Sequence, residues 1–381
     1  MSLAELTRNA VDVLPEGALE EKLKLGRPLR VKLGIDPTGP DIHIGFAVVL
    51  RRLRAFQDAG HTAVLIVGDY TARIGDPSGR SKERVVLPDD VLDSNAKLFA
   101  EQAYRILDRE RTEIRFNGEW LAKLDYAEIV RLTRTATVAQ LLERNDFRER
   151  FAESAPISVS ELLYPFAQGY DSVAVVADIE VGGTDQLYNL LMGRDVMAQY
   201  GLDPQMVMTF ELLVGTDGVE KMSKSTGNYV GIDDAAEEQF GKVMSIPDSA
   251  LDQWWRLCLD RDAPGGDALE SKLALARGIV ELYHGSEAAD AAEAHFTRVV
   301  REGRAPEDVP EAQLPAGDPV HLPAALADWF GLSTSDARRL IAQGAVKLGG
   351  ETVGELDVPR ERLAGSLVQA GKRRFVRVAA G

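Results

Sequence analysis

Lys221 and Lys224, three residues apart in Lys221-Met-Ser-Lys-Ser225, and His43 in His43-Ile-Gly-Phe46 are side chains that can stabilise charge developing on a transferring phosphate. A lysine loop closing as that charge develops raises rate rather than affinity. Tyr164, Gln168 and Asp171 form a second set. Their spacing of i, i+4 and i+7 puts them on one helix face. The surrounding run LLYPFAQGYDSVAV is strongly apolar, and a polar stripe inside it is costly to bury without partners. Each set also has an ordinary reading: a capped helix start, a solvated basic loop, and a core helix that tolerates one Asp.

The elements around His43 favour chemistry. Val31 to Asp36 is a short run of strand type, and Pro37, Gly39 and Pro40 force a turn. From Ile42 the apolar spacing becomes helical, with Ile42, Phe46, Val49, Leu50 and Leu53 on one face and Arg51, Arg52 and Arg54 on others. Asp41 is placed to cap this helix. Gly45 in its first turn lets a flat ring or a phosphate approach backbone N–H groups. Lys221 and Lys224 follow an apolar strand, Met206 to Val214.

Strand and helix patterns alternate over about 28–228, which predicts an α/β fold with a doubly wound parallel sheet. Tyr70 to Arg84 is a glycine- and base-rich loop at the edge of such a sheet where ligands bind. Residues 1–27 read as mainly helical, and Arg144 to Ile157 as an inserted loop or subunit contact. From 229 to 303 only helices are expected. Residues 304–319 contain four prolines and read as a linker, and 320–381 form a small α+β unit. That tail has nine Lys and Arg against six Asp and Glu, so it is net +3 on a chain whose total is −16. The acidic body argues against a general nucleic-acid binder, whereas a local basic face can still bind RNA.

No apolar run approaches the ~20 residues that span a bilayer. The N-terminus carries Glu5, Glu16, Glu20 and Glu21 without an apolar leader, which predicts a cytoplasmic chain. A single cysteine, Cys258, allows neither an internal disulfide nor a cysteine zinc site, and no structural metal is expected. The chain has no P-loop, no G-x-G-x-x-G, no H-E-x-x-H and no G-x-S-x-G.

His-Ile-Gly near the start, followed about one domain later by Lys-Met-Ser-Lys-Ser, resembles the signature pair of class I aminoacyl-tRNA synthetases. With the intervening segments, nearly the whole chain is similar to bacterial tyrosyl-tRNA synthetases. The resemblance implies a Rossmann-like catalytic domain over 1–228 with an inserted segment around 120–158, an all-α domain over 229–303, the linker 304–319 and an RNA-binding domain over 320–381. It implies tyrosine–tRNA ligase activity with ATP as substrate, Mg2+ accompanying it, tRNA(Tyr) as partner and a homodimer.

Residue by residue, the resemblance puts His43, Lys221, Lys224, Arg80 and Arg84 at the phosphates. It puts Gly34, Asp36, Thr38, Gly45, Gly183, Asp185 and Met222 around the rest of ATP, with Asp185 on the ribose and Gly182 giving clearance. Tyr164, Gln168, Asp36 and Asp76 would hold the α-ammonium of tyrosine, with Gln186 at its carboxylate and Thr71 lining the pocket. Asp171 would accept the phenolic hydroxyl. Phenylalanine would then be rejected because it leaves Asp171 buried and unpaired. Arg338, Arg339, Lys347, Lys372, Arg373 and Arg374 would face RNA.

Two positions depart from the family pattern. Phe46 replaces the last histidine of the first signature, either packing on the sugar or joining the helix core. Lys32 and Leu33 stand where some members have a tyrosine that touches the substrate hydroxyl. Tryptophanyl-tRNA synthetases share both signatures but lack the basic C-terminal unit, which favours tyrosine. Two alternatives are a tyrosine-activating paralogue with a non-tRNA acceptor, and a catalytically silent RNA-binding protein supported by Phe46 alone.

Overall fold

The structure, a computed structural model, describes residues 2–39, 41–78, 87–302, 305, 309–371 and 374–380. The chain divides into two compact units, Met1–Tyr283 and His284–Gly381.

The first unit is built on a six-stranded sheet: β1 (Ala10–Leu14), β2 (Arg30–Ile35), β3 (Thr62–Val67), β4 (Thr112–Phe116), β5 (Ile179–Gly183) and β6 (Met206–Phe210). Its order is β1-β6-β5-β2-β3-β4, with every neighbouring pair parallel except β1 against β6. Five consecutive residues of β3, Ala63 to Val67, are buried, as befits a strand covered on both faces. The chain runs from β2 outward through β3 to β4, then returns to the other side of β2 with β5 and β6. The switch point lies between β2 and β5, where an open parallel sheet offers a crevice at its C-terminal edge.

Eight of this unit's helices matter for packing or for the site: α1 (Ile44–Asp58), α2 (Asp89–Ala103), α3 (Tyr126–Thr133), α4 (Val138–Leu142), α5 (Asn145–Ala152), α6 (Val159–Val175), α7 (Leu187–Gln199) and α8 (Ala236–Met244). Ser158 and Glu161 form a reciprocal capping box that starts α6, and Val176 in the left-handed region ends it. The helices α9 (Leu251–Leu259) and α10 (Ala268–His284) follow, with Trp254 fully buried on α9. Among the described residues no helix is long and apolar enough to cross a membrane.

The N-terminal stretch read as mainly helical contains the edge strand β1. Its Ala10–Leu14 backbone is paired with β6, and Thr209 donates to Asp12 across that pair. Nothing within Val11-Asp-Val-Leu14 specifies this, because the partner strand lies nearly two hundred residues away. The stretch read as an inserted loop contains α5. Phe147 and Arg150 on α5 are buried, and the Arg150 guanidinium forms two bonds to the Glu161 carboxylate, at 2.7 and 2.9 Å. Asp41 does not cap α1. The cap residue is His43, whose carbonyl accepts from Phe46 and Ala47, while Val230 takes the Ile44 N–H. The α1 core face is Ile44, Ala47, Val48, Leu50 and Leu53, with Arg52 buried beside them and paired to Asp260; Phe46 and Val49 face a cavity instead.

In the second unit, α11 (Ser286–Phe296) precedes a five-stranded sheet ordered β10-β9-β12-β13-β7 and a two-stranded pair, β11 with β8. The strands are β7 (Glu311–Ala312), β8 (Val320–His321), β9 (Val346–Leu348), β10 (Glu351–Thr352), β11 (Asp357–Val358), β12 (Leu367–Ala370) and β13 (Arg374–Val378). The helices α12 (Leu322–Phe330) and α13 (Thr334–Ala342) contribute Leu326, Ala337 and Ile341 to a core shared with Val346, Val368 and Val376. The strand β7 lies within the stretch read as a linker and pairs in parallel with β13.

Candidate active site

The crevice between β2 and β5 opens into a cavity of about 820 Å³. Its lining brings together Gly34, Asp36, Thr38, His43, Gly45, Thr71, Asp76, Tyr164, Gln168 and Asp171. Gly182, Gly183, Asp185, Gln186, Lys221, Met222 and Lys224 complete the set. Residues drawn from positions 34 to 224 thus meet in one space. Arg80 and Arg84 lie outside the described residues.

At one end a chain of hydrogen bonds fixes the polar side chains. Tyr164 Oη donates to Asp36 Oδ2 at 3.1 Å, and Thr71 Oγ1 donates to Asp36 Oδ1 at 2.7 Å. Gly68 makes room for this, since a Cβ there would sit 2.1 Å from Asp36 Oδ1. Asn117 Nδ2 reaches Thr71 Oγ1 at 2.9 Å and Asp171 Oδ2 at 3.2 Å, and Trp120 Nε1 donates to Asp171 Oδ1 at 2.8 Å. Asp76 accepts from Gln186 Nε2 at 2.9 Å and from the Ser78 N–H.

Asn117 and Trp120 escaped the sequence reading. Their position just after β4, at the same sheet edge as the other ligand-facing loops, was the signal available. They correct one expectation. Asp171 is buried but not left unpaired when no hydroxyl faces it, because each carboxylate oxygen already has a protein donor. Burial pushes its carboxyl up to about 7, against Lys32, Trp120 and Asn117, which all favour the charged form.

At the other end His43 is buried, and its Nδ1 has no hydrogen-bond partner among the described residues. Burial holds its pKa down at about 3, and Lys224 acts in the same direction, so the imidazole is neutral at physiological pH. The ring lies over Gly45, where a Cβ would be 3.0 Å from two of its atoms. A side chain at position 45 would therefore press on the His43 ring. Phe46 stacks on the imidazole at 4.3 Å between centroids.

Lys221 Nζ is 2.9 Å from Asp185 Oδ2. Burial lowers Lys224 to about 8, with Asp41 opposing. Asn228 organises the loop that carries both lysines. Its Oδ1 accepts from the Ser223 N–H at 2.8 Å, and its Nδ2 donates to Asp217 Oδ2 at 2.6 Å. The sequence reading missed this residue too. No group of three or more His, Cys, Asp or Glu among the described residues is arranged to hold a metal ion.

The match to known proteins is extensive. Residues 24–300 match the family described as tRNA synthetases class I (W and Y). The chain belongs to that family. A tyrosine–tRNA ligase of Thermotoga maritima is 45% identical over 388 residues, covering 99% of this chain and 96% of that protein. One from Moorella thermoacetica is 46% identical, covering 98% and 94%. The structure of a tyrosyl-tRNA synthetase complexed with L-tyrosine from Archaeoglobus fulgidus superposes with a TM-score of 0.61 at 22% identity, covering 76% of this chain and 98% of that one. That likeness establishes the class I synthetase fold.

In the second unit Arg338, Arg339, Lys347 and Arg374 are exposed. Arg339 is paired with Asp336 at 2.7 Å. Lys372 and Arg373 lie outside the described residues.

Proposed function

We propose that the chain activates L-tyrosine with ATP and transfers it to the 3′ end of tRNA(Tyr). A tyrosine carboxylate oxygen attacks the α-phosphate in line, a new P–O bond forms, and the bond to pyrophosphate breaks with its electron pair leaving on pyrophosphate. The observation that carries this reading is the polar constellation Asp36–Tyr164–Thr71–Asn117–Asp171 in the same cavity as His43, Lys221 and Lys224.

Asp36, Asp76, Tyr164 and Gln168 receive the α-ammonium, Gln186 the carboxylate end, and Asp171 the phenolic hydroxyl. Thr71 and Asn117 hold Asp36 and Asp171 in place. Gly34, Asp36, Thr38, Gly45, Gly183 and Met222 bound the nucleotide. Asp185 takes the ribose, which requires Lys221 to leave its present partner and move toward the phosphates. Lys221, Lys224, Arg80 and Arg84 meet the charge gathering on pyrophosphate, and neutral His43 donates one hydrogen bond. Mg2+ enters with ATP as part of the substrate and supplies further charge neutralisation there.

The division into 1–228 with its insert at 120–158, 229–303, the linker 304–319 and 320–381 belongs to the same proposal, as do a homodimer and a cytoplasmic location. Arg338, Arg339, Lys347, Lys372, Arg373 and Arg374 contact tRNA phosphates, so charging weakens with salt. Charging of tRNA(Tyr) with labelled tyrosine tests the transfer step. Alkali-labile label on the tRNA is expected after gel separation at acid pH, which preserves the ester, and its absence despite adenylate formation would indicate another acceptor.

A further inference from the structure

Beneath the cavity floor lies an ion pair that no step above uses. Lys32 on β2 and Glu180 on β5 are register partners in the parallel pair, and both are fully buried. Lys32 Nζ has three partners: Gln168 O at 2.9 Å, Ser172 Oγ at 2.7 Å and Glu180 Oε1 at 3.0 Å. Glu180 has four donors. Lys32 and Gln168 Nε2 (3.1 Å) meet its Oε1, while Ser172 Oγ (3.2 Å) and Gln205 Nε2 meet its Oε2. An ammonium has three protons and a carboxylate roughly four acceptor sites, so this network is saturated.

Saturation rules out contact between Lys32 and a bound substrate, and Lys32 does not line the cavity. Net stability is a poor reason for such a pair, because buried ions can often be replaced by apolar residues of similar volume at little cost. Its geometric consequence is specific. An ionised carboxylate can only accept, so Gln168 must turn its NH2 toward Glu180. The amide oxygen is then the end of Gln168 available to the cavity, and an oxygen is the acceptor that an ammonium needs. A flipped amide would present two N–H donors to the same cation.

We infer that Lys32 and Glu180 are positioning residues that fix the Gln168 amide with its oxygen toward the cavity, giving the pocket its selectivity for an amino acid over the acid lacking the amine. This rests on the tyrosine reading above. The strand register itself pairs Lys32 on β2 with the acid at 180 on β5.

The test compares dissociation constants of L-tyrosine and 3-(4-hydroxyphenyl)propionate, which differ only in the ammonium, for the full-length chain and two double variants. Lys32→Met with Glu180→Met removes the pair at nearly constant volume and leaves Gln168 without its acceptor. The preference for tyrosine should fall about tenfold or more, while the propionate affinity stays within about twofold. Lys32→Met with Glu180→Gln keeps an amide that can present either end, and should lose about threefold.

Equal loss for both ligands would mark a merely structural role, and an unchanged ratio would overturn the inference. Should the Met/Met variant not fold, an unchanged ratio in the Met/Gln variant overturns it alone. Wild-type chain that supports no adenylate formation with tyrosine would remove the underlying reading as well. Variants whose ratio alone fails to change leave that reading intact.

Discussion

The imidazole of His43 and the ring of Phe46 stack with their centroids 4.3 Å apart and their planes inclined by 28°. Phe46 in turn meets Phe99 edge-on at 6.0 Å. His43, whose Nδ1 has no partner among the described residues and which packs over Gly45, is thus held by aromatic contacts. Phe46 provides a clamp on the residue three before it.

Phe46→Leu should loosen that clamp. An aromatic pair is worth about 0.5–1.5 kcal/mol beyond its area, so KM for ATP is expected to rise about three- to tenfold while KM for tyrosine stays within about twofold. Steady-state pyrophosphate exchange at varied ATP, and separately at varied tyrosine, measures both. Equal changes in the two constants would place the effect in the fold.

With its pKa lowered by burial to about 8, Lys224 should set the alkaline side of the rate. Its charge is present below that pH and lost above it, so exchange should fall as pH rises through about 8, approaching tenfold per unit. Lys224→Arg stays charged and should remove this limb, at whatever lower plateau its different geometry allows. His43 contributes no inflection between pH 5 and 9, because its burial keeps it neutral throughout. A pH–rate profile of both proteins checks this.

Asp171 makes stability depend on pH in the direction opposite to most carboxylates. Its folded pKa, about 7, exceeds the ordinary 3.8. Between those values the folded state holds a proton that the unfolded state has lost, so stability falls as pH rises through the window. Asp171→Asn abolishes this effect. Relative to wild type the variant should gain about 2.5 kcal/mol between pH 5 and pH 8, seen in denaturant titrations without tyrosine.

Much of the site was legible because local chemistry dictates it. Pro37 and Gly39 must break the strand that precedes them, and the 3.6-residue period after Ile42 reads as helix α1. The stripe Tyr164, Gln168 and Asp171 needs only a helix to align it, and α6 supplies one. What stayed hidden depends on distant partners. The strand β1 exists because β6 offers it an edge, and α5 is anchored where Arg150 meets Glu161. Asn117 and Trp120 reach Asp171 from more than fifty residues away. Nothing in the sequence alone assigns Lys32 a role of its own, and only the register of β2 with β5 reveals Glu180 as its partner.

The central claim is that Asp171 and the Asp36–Tyr164 pair make this a tyrosine pocket. ATP–pyrophosphate exchange with tyrosine, phenylalanine and tryptophan in parallel, without tRNA, tests it most directly. A hydrogen bond between the phenolic hydroxyl and a charged or shared-proton carboxyl is worth about 1.5–3 kcal/mol, so tyrosine should exceed phenylalanine by roughly ten- to a hundredfold in kcat/KM. Tryptophan should give no exchange above background. Comparable exchange with phenylalanine, or none with tyrosine, would contradict the account.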